Sequence, residues 1–232
     1  MNDAPSPAHA ESLKRHLERL KELRGAGQRA PARLVELKQW QARRLEDTYA
    51  DVANEPRYRA ATAFFLDDLY GPKDFSGRDQ AMLRILPVMS RLLPEKAVET
   101  AALAIELEAL SEALDHRLAG ALGRGPIDAE SYAKAYRETS TRAERERQVE
   151  LLDAVGHRLD ALVARPLLSR TLKLMRHPAH VAGLGDLQDF LERGFAAFRD
   201  MKGADAFLAL VRERETEILS RLFSGAPEPF SV

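Results

Sequence analysis

The sequence predicts an all-α protein, a compact bundle of about eight to ten mostly antiparallel helices with short loops. Three observations carry that expectation. Apolar residues recur at helical spacing along almost the whole chain. No run of alternating β-branched residues marks a strand. Proline and glycine breaks separate the periodic stretches by only a few residues, which favours antiparallel neighbours.

The elements follow in order. Residues 1–9 hold Pro5, Pro7 and small polar side chains and are expected to be disordered. A first helix spans Ala10 to Arg24 and stops at "GAG", Gly25 to Gly27; a second follows Pro31 and reaches Ala53, where Asn54–Pro56 breaks it. A third covers Arg57 to Tyr70 and a fourth begins near Ser76, with Pro87 expected to kink or break it. Pro94 suits the first turn of a long helix ending near Leu122 at "GRGP". Asp128 caps a shorter helix, and Thr141 begins a charged one through Ala164. Pro166 starts another, which His177-Pro178 is expected to end. Two final helices run through Phe198 and Leu222, and residues 225–232 are expected to form an irregular tail. Residues 10–224 read as one helical domain, in which 10–53 could form a semi-independent hairpin.

Composition narrows the function. The 232 residues carry 45% hydrophobic and 31% charged side chains, the balance of a chain rich in amphipathic helix. The net charge of -1 lacks the basic excess of a dedicated nucleic-acid binder. No apolar run is long enough to span a membrane, and the N-terminus has no secretory pattern. With no cysteine there is no disulfide framework, thiolate metal site or cysteine nucleophile. These features fit a cytoplasmic protein, and none implies a cofactor.

A helical bundle raises the possibility of a metal site. Glu112 with His116, and Asp153 with His157, are spaced four residues apart and share a helix face. Glu108 lies one turn before Glu112. Yet Glu112 and His116 fall roughly 160° from the centre of the stripe Leu103, Leu107, Leu110, Leu114 and Leu118. His157 lies roughly 170°, and Asp153 roughly 130°, from the stripe of Leu152, Val155, Leu159 and Val163. Val98, Ile105 and Ala109, opposite the leucines, leave room for burial on two sides. The Glu-x-x-His spacing of di-metal bundles is absent. His177 and His180 flank Pro178 with no third ligand nearby in sequence. No phosphate-binding loop, dinucleotide fingerprint or nucleophile elbow occurs. Gly183 and Gly185 lack a strand context and are read as permitting close helix approach, as is Gly194.

The densest feature is "FFLDDLYGPKDFSGRD", Phe64 to Asp79. Tyr58, Ala61, Phe65 and Leu69 share a core-facing stripe, with Thr62 beside them and Asp67 nearly opposite. Asp68 sits at the stripe's edge. Gly71 suits a left-handed helix end and Pro72 forbids continuation. Asp74 can accept from turn N–H groups, and Ser76 with Asp79 resembles a capping box. Asp67, Asp68, Tyr70 and Asp74 form a candidate recognition surface, with no nucleophile–base pair among them.

That segment, with "LRILPVMSRLLPEKA" and "GLGDLQDFLERGFAAFRDMKGADAFL", resembles an uncharacterised family of bacterial helical proteins. The resemblance spans about Ala50 to Glu215 and implies an all-helical domain from a bacterium. It supplies no catalytic residue. The sequence is therefore read as a non-enzymatic cytoplasmic helical module that binds a protein partner or a second copy. The alternative is a helical-bundle metal- or tetrapyrrole-binding protein or enzyme using Glu108, Glu112, His116, Asp153 and His157. A third reading is regulatory nucleic-acid binding through the first two helices, which hold ten Lys/Arg against six Asp/Glu between Glu11 and Asp47.

Overall fold

The computed structural model describes residues 7–25, 31–69, 81–86 and 94–232. It is all-α: among those residues there are helices and no strand. In chain order they are α1 (Pro7–Arg24), α2 (Ala32–Thr48), α3 (Ala50–Asn54) and α4 (Arg59–Phe64), the last running on into a π-helical turn at Phe65–Leu69. Residues 81–86 form α5. Then come α6 (Glu95–Ala121), α7 (Ala129–Thr139), α8 (Arg142–Val163), α9 (Pro166–Val181), α10 (Gly185–Met201) and α11 (Asp205–Ser224).

Helix α6 organises the packing, flanked by α1, α2, α7 and α8. One core layer joins Leu13, Leu17 and Leu20 of α1 to Ala102, Ile105 and Ala109 of α6. The three leucines lie at i, i+4 and i+7, so one face of α1 is fully dry. A second layer gathers Tyr49, Ala61, Phe198, Met201, Phe207 and Leu208, with Tyr58 and Phe65 packed against it. The aromatic stripe before the corner therefore does face inward. A third layer centres on Tyr132, Tyr136, Leu118 and Ile218, and Trp40 stacks on Tyr132 at 4.5 Å.

Capping explains several boundaries. Asp128 accepts from the Ser131 N–H, and Ser131 Oγ accepts from the Asp128 N–H, a reciprocal box at the start of α7. Thr141 and Glu144 do the same for α8. Other boundaries differ from expectation. Helix α1 begins at Pro7, so Pro7–His9 are helical rather than disordered. The second predicted helix divides at Tyr49, whose φ of -112° interrupts the turn between α2 and α3. Pro94 sits just before its helix as the N-cap.

The largest boundary difference is Pro178, which lies inside α9 rather than ending it. The proline leaves the Leu174 carbonyl without its helical donor. Leu174 is 77% exposed, so water can reach that side of the helix, and only one more turn follows. The residue pattern around 225–232 is non-helical, as expected, but it is not loose. Phe230 packs against Trp40 and Tyr132, with centroids 5.6 and 5.8 Å away.

Helix α1 does stop at Gly25, which adopts a φ of 58°. The rest of that stop at Ala26 and Gly27, the fourth helix's start at Ser76, the kink at Pro87, Gly71, Pro72 and the Ser76–Asp79 box lie outside the described residues.

Candidate interaction surface

The bundle carries a charged seam through its interior. Helix α2 presents Lys38, Gln41 and Arg44 at i, i+3 and i+6, one face of the helix. Lys38 Nζ donates to both Glu112 oxygens at 2.8 and 2.9 Å, and Gln41 Nε2 donates to Asp115 at 2.9 Å. Arg24 reaches from α1 to Glu108 at 2.6 Å and Glu112 at 3.1 Å. At the far end Arg44 and the Tyr49 hydroxyl both donate to Glu215. Arg145, 4% exposed, lies over the Tyr136 ring at 4.1 Å and donates to Ser140 Oγ and Gln148.

Glu112 is thus buried, at 4% exposure, where the leucine stripe of α6 placed it on the outer side. The reason is two-sided burial. Val98, Ile105 and Ala109 are as deeply covered as Leu114 and Leu118, because α1 occupies the face opposite the leucines. Burial pushes the Glu112 carboxyl up, but Lys38 and Arg24 together hold it below the usual glutamate value. Asp115, whose one hydrogen-bond partner among the described residues is Gln41, is pushed up by burial.

The five residues of the metal reading do not converge. His116 Nε2 lies 3.6 Å from Glu112, whose oxygens already accept from Lys38 and Arg24. Asp153, half-buried, and His157, exposed, form a separate pair at 3.5 Å, joined by Arg212 and Asp205. No group of three or more His, Asp or Glu side chains among the described residues is arranged to hold a metal ion. Of the ten Lys/Arg between Glu11 and Asp47, Arg24, Lys38 and Arg44 turn inward onto carboxylates.

Of the corner residues, Asp67 is exposed on the π turn. Tyr70, Asp74 and the side chain of Asp68 lie outside the described residues. The corner's other end is clear: Phe64 is buried against Phe190, and a Cβ on Gly194 would sit 2.8 Å from the Phe64 ring. Gly194 therefore does serve close helix approach. Gly185 does likewise beside His180, whereas Gly183 adopts a φ of 70° in the turn after α9, with open space around it.

The feature with no internal explanation is α9. It packs mainly on α10 and more lightly on α8. Ala179 is its one fully buried residue, with Leu168 and Leu172 half-buried. Gln188 of α10 donates to the Leu172 carbonyl at 2.6 Å, Arg176 is held by Glu192, and His180 lies 3.3 Å from Asp189. On the other side Leu167, Leu174 and Val181 are 74%, 77% and 75% exposed. They are spaced by seven, so they align along one face, and Met175 widens it. Scattered exposed apolar side chains are ordinary; three aligned on one helix are not. The sequence carried this signal in "PLLSRTLKLMRHPAHV", but a helix expected to stop at His177 shows no third repeat.

Residues 21–229 match the model of a family described as Domain of unknown function (DUF8198). The chain belongs to that family. No curated protein and no solved structure matches it. Family membership accounts for nearly the whole bundle, α9 included, and leaves the role of the exposed face to be argued from its chemistry.

Proposed function

We propose that this protein is a non-enzymatic helical interaction module, working in the cytoplasm of a bacterial cell, that docks a second polypeptide on the open face of α9. The observation supporting this reading is the alignment of Leu167, Leu174 and Val181, each about three-quarters exposed, on one side of a helix whose other side is packed. Covering those side chains removes apolar area from water at about 25 cal/mol per Å². The seam of ion pairs supports the reading from the inside. It ties α1, α2, α6 and α11 together, so the surface is presented by a preorganised body.

The test replaces Leu167, Leu174 and Val181 together by Asp and purifies both proteins from the native source under mild conditions. Wild type is expected to retain a stoichiometric polypeptide that the variant loses, with identical far-UV circular dichroism. The side chains are exposed, so each change should alter stability by about 0.5 kcal/mol or less. Wild type emerging alone, or both proteins retaining the same companion, contradicts the proposal.

A further inference from the structure

The open face of α9 has a charged border, and its sign is one-sided. Residues 161–185 contain Arg165, Arg170, Lys173 and Arg176 and no Asp or Glu, in a chain whose net charge is -1. Arg176 is engaged by Glu192. Arg170 and Lys173 are exposed and make no ion pair with any described residue. On a helical wheel Arg170, Lys173 and His177 occupy one arc next to Leu174 and Val181, while the opposite flank holds Thr171 and Met175. The face is therefore an apolar strip with a basic rail along one edge.

From this we infer that the occupant of α9 is an acidic amphipathic helix: apolar residues at heptad spacing, with Asp or Glu along the flank that meets Arg170 and Lys173. The inference rests on the docking role of α9 and names the partner's chemistry. Two features favour a helix. The seven-residue repeat of Leu167, Leu174 and Val181 is the spacing at which a second helix lying alongside keeps contact. The basic rail lies on one edge only, matching a single acidic edge; a helix lying in a lipid interface places cations to both sides of its apolar face and anchors with aromatics, which the open face of α9 lacks. A second copy docking α9 on α9 opposes basic rails and is disfavoured by like-charge repulsion.

The probe is a designed peptide about three heptads long, with Leu at the seam positions and Glu along one flank, beside a twin carrying Lys in place of Glu. Binding to the full chain is read by fluorescence anisotropy at low salt and at about 0.5 M salt. The Glu peptide is expected to bind at least tenfold tighter than the Lys twin, with the gap shrinking in high salt. Arg170→Glu with Lys173→Glu should invert the order, and Leu174→Asp should weaken the Glu peptide tenfold or more, with circular dichroism unchanged. Equal binding of the two peptides overturns the acidic partner; if that binding is still lost in Leu174→Asp, the docking face stands. Retention on phosphatidylglycerol vesicles without peptide binding overturns it in favour of a lipid surface. A doubling of mass in light scattering that Leu174→Asp abolishes overturns it in favour of a second copy.

Discussion

Glu112 shows how much one side chain can depend on its neighbours. Two cations and a carboxylate meet where α1, α2 and α6 converge, and the carboxylate is the most deeply buried of the three. Replacing Glu112 by Gln removes the charge that Lys38 and Arg24 share, while Arg24 keeps Glu108 and Lys38, 27% exposed, keeps water. The loss of these charge-assisted hydrogen bonds costs about 1–3 kcal/mol. The pH dependence has a definite sign. Because the folded carboxyl titrates below its unfolded value, its contribution is complete above the ordinary glutamate range. It is lost as pH falls through the lower, folded value. Urea melts of wild type and Glu112→Gln should therefore differ most near neutrality and converge in acid; a gap that stays constant with pH contradicts the ion-pair account. At this scale the sequence told half the story. The four-residue spacing of Glu112 and His116 was visible, but its partners lie 88 and 74 residues away, on other helices, and nothing local announces them.

Helices are where the sequence was most informative, and their misreadings share a cause. Caps are local chemistry, so Asp128 and Thr141 marked their helices within a residue. Pro178 sits inside α9 because the penalty of a helical proline depends on whether the orphaned carbonyl can reach water, which is a tertiary matter. The leucine stripe of α6 misled for a related reason, since a helix covered on two sides has no single wet face. Gly194 gives a direct check on helix contact. A glycine inside α10 costs about 1 kcal/mol in helix propensity relative to Ala, so its presence requires a packing reason. The Phe64 ring, itself 6% exposed and leaning on Phe190, supplies it. Gly194→Val should destabilise by about 1–3 kcal/mol through overpacking at the α4–α10 contact. A midpoint that rises, or stays level, in denaturant melts removes Gly194 from that role.

The whole molecule reads as a rigid bundle with one unfinished side. Its core layers and charged seam account for nearly every element except α9, which contributes a single fully buried residue and leaves its best apolar face in water. The all-α class was legible from periodicity alone. The open face of α9 was not, because exposure is decided by which helices arrive beside α9, and only the assembled fold shows that no described element covers Leu167, Leu174 and Val181. The corner of Phe64 to Asp79 drew the eye by composition, and its described part turns its aromatics into the core. The claim that α9 is the docking surface is tested most directly by a photo-crosslinking amino acid placed at Leu174, with a second protein carrying it at the exposed Glu138 of α7 as control. Irradiated in native cells, the Leu174 position should yield a discrete adduct to another polypeptide that the Glu138 position does not. No adduct at Leu174, or the same adducts from both positions, would contradict it.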